Sequence, residues 1–271
     1  MSRRSVHRFA EMKARGEPIV SLTAYDVLFA GILEQEEVDL LLVGDSLGQV
    51  VLGYDSTLPV TMEAMLHHGA AVRRGAPDSF VVLDLPFMSY QVSREGALRH
   101  AGRALKEAGA DGVKVEGGGD ELCRTVEALT GAGVPVMGHL GLTPQSVRTT
   151  GGYRVQGRHQ EDADALRRAA RALEAAGCFA LVLELVPGEL ARQVTEERAV
   201  PTIGIGAGPH CDGQVLVLPD ALGLNEGFEP RFLRRFAELA KEARQGVAAY
   251  RDAVREGRYP ADEHTFGSGG G

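Results

Sequence analysis

Short apolar segments recur along the chain and alternate with longer amphipathic ones. Runs of four or five apolar residues, many of them β-branched, are typical of strands in a parallel sheet that is buried on both faces. The predicted strands lie near residues 19–23, 39–44, 80–84, 111–116, 134–139, 179–185, 201–205 and 214–218. The predicted helices lie at residues 27–37, 62–74, 93–108, 119–132, 162–176, 188–198 and 231–256.

Eight strands in a β–α rhythm over about 250 residues predict an α/β fold, a (β/α)8 TIM barrel in one domain. The alternative, a doubly wound sheet, usually carries a Gly-rich fingerprint after its first strand, and Thr23-Ala24-Tyr25-Asp26 is not one. We expect one catalytic domain over residues 1–266 and a flexible Gly-rich tail over residues 267–271. The long connections 46–61 and 140–161 are expected on the catalytic face, the second as a lid.

Composition narrows the class of protein. The 271 residues carry a formal net charge of −8, which argues against nucleic acid or an anionic membrane as the main partner. No apolar stretch approaches the roughly 18 residues that span a bilayer, and no apolar segment follows the basic start Met1-Ser2-Arg3-Arg4. Three distant cysteines fit neither a disulfide framework nor a zinc cluster. The cytoplasm is the expected location.

Carboxylates stand at the ends of four predicted strands: Asp45, Asp84, Glu116 and Glu184. Burying a carboxylate is costly unless it is paired or bound to a metal. Asp45, Asp84 and Glu116 follow consecutive strands, and two unit charges about 4 Å apart repel by about 4 kcal/mol at an effective dielectric near 20. An all-oxygen set of this kind predicts a hard cation, Mg²⁺ before Mn²⁺ or Ca²⁺. In the alternative interpretation, each acid caps a helix or pairs with an Arg.

Two further ionisable residues fall near these strand ends. Lys114 is two residues from Glu116, so both side chains are expected to face the barrel interior. Its ammonium then pairs with the neighbouring acids or with a substrate carboxylate, unless Lys114 and Glu116 form only a structural pair. His139 ends the fifth strand and is predicted to bind substrate, to orient Glu184, or to act as a structural donor.

Glu184 ends the sixth strand, nearly opposite the second and third strands across the barrel. This position predicts a general base facing a metal-bound substrate, a role typically worth about 10²–10⁴-fold in rate. The alternative is a Glu that shares a proton or hydrogen-bonds a backbone amide. Ser46, next to Asp45, is a weaker candidate for substrate contact.

Nine segments together resemble one enzyme family, ketopantoate hydroxymethyltransferase (3-methyl-2-oxobutanoate hydroxymethyltransferase). They run in the family's order from about residue 19 to residue 236, and several are long enough to be highly specific. The segments are Thr23–Asp26, Val43–Gly48, Gly53–Thr61, Asp84–Tyr90, Val113–Gly118, Gly138–Gln145, Gly151–Arg158, Leu183–Pro187 and Ile203–Gly208. Pro209-His210-Cys211 and Leu216-Val217-Leu218-Pro219 depart in detail, and neither touches the acids.

The resemblance implies a barrel that binds one Mg²⁺ per subunit. It implies transfer of a hydroxymethyl group from 5,10-methylenetetrahydrofolate to 3-methyl-2-oxobutanoate through a metal-stabilised enolate, which forms 2-dehydropantoate in pantothenate and coenzyme A biosynthesis. A homo-oligomer, a decamer, is also implied.

Carried over position by position, the resemblance also assigns roles to individual residues. Asp45, Asp84 and Glu116 fall on the metal site, directly or through water. Glu184 falls on the proton acceptor. The keto-acid contacts fall on Asp45, Ser46, Asp84 and Lys114.

Two other functions fit the same residues. One is a Mg²⁺-dependent lyase or aldolase acting on a related α-keto acid, which a folate requirement would exclude. The other is a barrel that binds a keto acid without catalysis, which proton exchange on the substrate would exclude.

Overall fold

The structure is a computed structural model that describes residues 5–150, 152 and 154–266, with Thr149 and Thr150 described by their backbone alone. It divides after Leu218 into two compact units. The prediction of one catalytic domain through residue 266 stays a prediction, and the predicted tail at residues 267–271 lies outside the described residues.

The first unit contains eight parallel strands that pair in chain order, with β8 closing on β1. The predicted (β/α)8 barrel is therefore confirmed. The strands are β1 (Ile19–Thr23), β2 (Leu40–Val43), β3 (Phe80–Asp84), β4 (Gly112–Glu116), β5 (Val136–Gly141), β6 (Ala180–Glu184), β7 (Thr202–Ile205) and β8 (Gly213–Leu216).

Helices connect the strands, and several begin at a residue whose side chain caps the first turn. Asp26 accepts hydrogen bonds from the amides of Leu28 and Phe29, and Ser93 accepts one from Gly96. The helices are α1 (His7–Ala14), α2 (Val27–Gln35), α3 (Leu47–Val50), α4 (Met62–Gly75), α5 (Arg94–Glu107), α6 (Asp120–Gly131), α7 (Val147–Thr150), α8 (Gln160–Ala175), α9 (Gly188–Glu197), α10 (Leu218–Ala221) and α11 (Leu239–Arg255), with 3-10 turns at Pro144–Ser146 and Asp262–His264.

The described helices differ from the prediction most clearly at residues 7–14 and 231–238. The sequence reading did not predict α1, which packs Phe9 against Phe80 with ring centroids 5.0 Å apart, at the N-terminal end of the barrel. The helix predicted over residues 231–256 begins only at Leu239. Residues 231–238 have apolar spacing, but the amide of Phe236 donates to the carbonyl of Ala221 instead of to a helical partner. Tertiary hydrogen bonds have overridden local propensity there.

The barrel interior is built from alternate residues of each strand. Its apolar layer contains Phe80 and Val82 of β3, Met137 of β5, and Ala180 and Val182 of β6. Because side chains of a strand alternate between two faces, the next interior positions are reached in steps of two toward the C-terminal ends. Those positions are Asp84 on β3, Lys114 and Glu116 on β4, His139 on β5 and Glu184 on β6.

The two long connections contain short helical turns. Residues 46–61 include α3, and residues 140–161 include the 3-10 turn and α7. The lid function of the second connection stays a prediction. Cys123, Cys178 and Cys211 are free thiols. In the described part of the chain, no helix has both the length and the apolar character needed to cross a membrane.

Gly141 ends β5 at a close backbone approach. Its φ is +93°, and a Cβ atom there would lie 2.1 Å from the carbonyl oxygen of Glu184. We expect Gly141→Ala to destabilise the protein by at least about 1 kcal/mol from the left-handed backbone alone, with the clash adding to this. Thermal unfolding measures the effect. Gly102→Ala in α5 is the matched control because a Cβ there meets open space, and equal melting temperatures for both variants would contradict the expectation.

Candidate active site

Lys114 lies at the centre of a buried cluster of charged side chains. Its Nζ is 3.2 Å from Asp84 Oδ1, 3.8 Å from Glu116 Oε1 and 3.1 Å from His139 Nδ1. Burial alone would lower the pKa of Lys114, but the charges of Asp84 and Glu116 raise it above its ordinary value. Lys114 is therefore a fixed positive charge inside the barrel, as the strand pattern predicts.

Asp45 and Asp84 are joined directly, since the backbone amide of Asp45 donates to Asp84 Oδ2 at 3.0 Å. Burial, together with the charges of Asp84 and Glu116, raises the pKa of Asp45 well above its usual value. Burial also raises the pKa of Asp84, although Lys114 opposes this. Both carboxyl groups are therefore harder to ionise than an exposed Asp.

Glu116 is the acid with the most donors around it. Its Oε2 accepts a hydrogen bond from the backbone amide of Gln145 at 3.0 Å, and its Oε1 lies 3.4 Å from His139 Nδ1. Burial raises the pKa of Glu116, but the hydrogen bond with His139 and the positive charges of His139 and Lys114 outweigh it and lower that pKa. Glu116 therefore stays ionised.

His139 connects the charged cluster to Glu184. Its Nε2 is 3.2 Å from Glu184 Oε2, while Nδ1 can accept from Lys114 or donate to Glu116, but not both at once. Burial and Lys114 lower the pKa of His139, whereas the contacts with Glu116 and Glu184 raise it to about 9. Of the roles predicted for His139, orientation of Glu184 is the one that this geometry favours.

Ser46 lies beside the cluster at the start of α3, where its Oγ is 2.8 Å from the hydroxyl of Tyr25. It is partly exposed, whereas neighbouring Asp45 is buried. Each predicted site residue thus lies at the C-terminal end of the barrel. The structure joins six of them by direct contacts, namely Asp45, Asp84, Lys114, Glu116, His139 and Glu184.

Sequence reasoning missed two residues that complete the cluster, Gln145 and Tyr90. The side-chain Nε2 of Gln145 donates to Asp45 Oδ2 at 2.9 Å, and its Oε1 accepts from the hydroxyl of Tyr90 at 2.8 Å. Both are uncharged and lie in connections that have no periodic pattern, so the sequence carried no signal for them beyond their position within the family segments.

The residues present fit a hard cation held by two carboxylates. Within residues 5–150, 152 and 154–266, no three His, Cys, Asp or Glu side chains are already arranged as ligands of one metal ion. Asp84 Oδ1, however, is buried and has no hydrogen-bond partner among those residues apart from its ion-pair contact with Lys114 Nζ at 3.2 Å, and burial raises the pKa of Asp45 well above its usual value. Mg²⁺ is usually bound by one or two carboxylates, with water and substrate oxygens supplying the remaining ligands.

Comparisons with known proteins identify the family of the chain. Residues 3–262 match the family model of ketopantoate hydroxymethyltransferase. The 3-methyl-2-oxobutanoate hydroxymethyltransferase of Desulfotalea psychrophila is 56% identical over 266 residues, which cover 98% of this chain and 95% of that protein. The enzyme of the same name from Syntrophus aciditrophicus is 54% identical over 94% of this chain and 93% of its own length.

A solved structure shares the architecture. Phosphoenolpyruvate phosphomutase from Streptomyces platensis subsp. rosaceus superimposes with a TM-score of 0.63 at 14% identity, covering 97% of this chain and 92% of that one. At this identity the likeness concerns the barrel fold alone. The family match and the relatives above 50% identity decide the assignment: the chain belongs to the ketopantoate hydroxymethyltransferase family.

Proposed function

We propose that the chain transfers a hydroxymethyl group from 5,10-methylenetetrahydrofolate to 3-methyl-2-oxobutanoate, forming 2-dehydropantoate on the route to pantothenate and coenzyme A. The observation that carries the proposal is the side-by-side position of Glu184 and the cluster around Lys114 at one end of the barrel. This arrangement provides a proton acceptor, Glu184, next to a site that contains both negative and positive charges. Such a site suits an α-keto acid and a hard cation.

In this proposal Asp45 and Asp84 would hold one Mg²⁺ per subunit, and Glu116, whose oxygens face His139 and Gln145, would contribute directly or through water. When bound, Mg²⁺ polarises the ketone of the keto acid and stabilises the negative charge that develops there. Lys114 adds a second, permanent positive charge for the substrate carboxylate or enolate. Ser46, at the C-terminal end of the barrel, is proposed to contact the keto acid.

Glu184 takes the proton from the branched carbon next to the ketone, and His139 holds Glu184 toward that carbon. The resulting carbanion forms a new C–C bond with the methylene carbon of the folate. Both C–N bonds of the methylene bridge break, and one water supplies the hydroxyl oxygen. The proton from the substrate and the remaining proton of that water end on the two nitrogens of tetrahydrofolate.

The remaining assignments belong to the same proposal. The partners are the small-molecule keto acid and folate, with neither nucleic acid nor membrane involved. The location is the cytoplasm and the assembly is a homo-oligomer, a decamer. These follow from the composition and the resemblance.

Deuterium exchange tests the proposal. In D₂O with Mg²⁺ and without folate, the protein should exchange the C3 proton of 3-methyl-2-oxobutanoate, seen by proton NMR as loss of the C3–H signal. Product should form only after methylenetetrahydrofolate is added. A keto-acid binder without catalysis would show no exchange, and turnover of the keto acid without folate would indicate a lyase or aldolase instead.

A further inference from the structure

The side chain of Gln145 has a partner for every hydrogen bond that it can make. Nε2 donates to Asp45 Oδ2 at 2.9 Å and to the carbonyl of Leu85 at 3.0 Å. Oε1 accepts from the Tyr90 hydroxyl at 2.8 Å and from Gln91 Nε2 at 3.1 Å. A buried amide with two donors and two acceptor sites filled is held in one orientation.

Tyr90 helps to fix which end of the Gln145 side-chain amide faces Asp45. The backbone amide of Glu116 donates to the Tyr90 hydroxyl at 3.0 Å. That hydroxyl has a single proton and two nearby acceptors, the carbonyl oxygen of Glu116 at 3.4 Å and Oε1 of Gln145 at 2.8 Å, and the shorter contact makes Oε1 its acceptor. The NH₂ group of Gln145 is thereby turned toward Asp45, which is 3% exposed and accepts the bond at Oδ2.

Gln145 also belongs to a short segment, Leu142–Ser146, that contacts the other side of the site. The amide of Leu142 donates to the carbonyl of Glu184 at 2.8 Å, and the backbone amide of Gln145 donates to Glu116 Oε2 at 3.0 Å. One segment of five residues therefore bonds the backbone carbonyl of Glu184, the Glu116 carboxylate through the backbone amide of Gln145, and Asp45 through the Gln145 side chain.

We propose that Gln145, oriented by Tyr90, is a positioning residue that couples the order of segment Leu142–Ser146 to cation binding at Asp45. The inference rests on the proposed function, because Asp45 and Asp84 are the carboxylates assigned there to Mg²⁺. Thermodynamic linkage makes the coupling reciprocal: if the segment holds Asp45 in its binding geometry, a cation bound by Asp45 stabilises the segment.

Residues that orient a metal ligand typically change metal affinity by about 10- to 100-fold when they are replaced. Gln145→Met keeps the approximate volume of the side chain and its neutrality but removes all four hydrogen bonds. Tyr90→Phe keeps Gln145 and removes the group that orients it. Gln160→Ala is the control, because the Gln160 side chain bonds only to Asp164 among the described residues, on the exposed face of α8.

Calorimetric titration with Mg²⁺ should give a dissociation constant about 10- to 100-fold higher for Gln145→Met, a smaller increase for Tyr90→Phe, and the wild-type value for Gln160→Ala. Hydrogen–deuterium exchange should show that Mg²⁺ protects the amides of Leu142–Ser146 in the wild type and in Gln160→Ala. This protection by Mg²⁺ should be absent in Gln145→Met. Circular dichroism confirms that each variant is folded.

A purely structural role for Gln145 predicts a different pattern. Exchange in the segment would then rise equally with and without Mg²⁺, and the Mg²⁺ dissociation constant would stay at the wild-type value. That result, with wild-type protein that binds Mg²⁺ and exchanges the substrate proton, would overturn the coupling and leave the proposed function standing. Failure of the wild type to bind Mg²⁺ would overturn both.

Discussion

Replacing Glu184 by Gln should lower turnover at least about 100-fold, the low end of what a general base contributes. Gln has nearly the same shape and can still meet His139 Nε2, which lies 3.2 Å from the Glu184 carboxylate, but it cannot accept the substrate proton. Binding of Mg²⁺ and keto acid should be retained, so the loss should fall on kcat. Steady-state kinetics and the folate-independent deuterium exchange both measure it.

A surface variant provides the control for Glu184→Gln. Glu196 lies on α9, the helix that follows β6, and forms an exposed ion pair with Arg192. Such pairs are worth at most about 1 kcal/mol to stability, and Glu196→Gln should exchange the substrate proton at the wild-type rate. Full activity in Glu184→Gln would remove Glu184 from the proposed role and leave the fold assignment untouched.

Replacing Asp84 by Asn should raise the Mg²⁺ concentration needed for half-maximal activity at least about 10-fold, because it removes the charge of one of two proposed ligands. The side-chain volume is unchanged. Lys114, 3.2 Å from Asp84 Oδ1, loses its closest carboxylate but keeps Glu116 at 3.8 Å. Initial rates over a range of Mg²⁺ concentrations, together with calorimetric titration, separate weaker binding from slower chemistry.

Asp78→Asn is the matched control for Asp84→Asn, since Asp78 is exposed just before β3. Its Mg²⁺ dependence should equal that of the wild type. An Asp84→Asn variant with an unchanged Mg²⁺ dependence would argue against carboxylate binding of the cation at this position, and would direct attention to Asp45 alone.

The sequence predicted the barrel well because most strands, such as β2, β3 and β4, are buried on both faces, so their apolar runs stand out from the helices around them. The period of two also predicted which residues of β4 face inward, and Lys114 and Glu116 do so. Helix α1 escaped prediction because its two buried residues, Phe9 and Met12, form too short a pattern in an otherwise polar stretch.

The sequence predicted mainly the charged residues of the candidate site. Acids at strand ends are costly to bury unless they are paired or bound to a metal, and Asp45, Asp84, Glu116 and Glu184 were predicted on this ground. The neighbours of each acid depend on register between strands, such as the pairing of Glu116 with His139, which no local pattern encodes. Neutral groups that hydrogen-bond the acids carry no charge that a sequence pattern could reveal, and for this reason Gln145 was not predicted.

The buried positive charge of Lys114 has a consequence for how the protein folds. The internal ammonium of Lys114 offsets part of the negative charge at the C-terminal end of the barrel, so we expect the strands to close around these acids without an external ion. Domains whose metal site organises the polypeptide are unfolded without it. We therefore expect that a newly synthesised chain completes its architecture first, and that binding of the proposed Mg²⁺ is a later, reversible event.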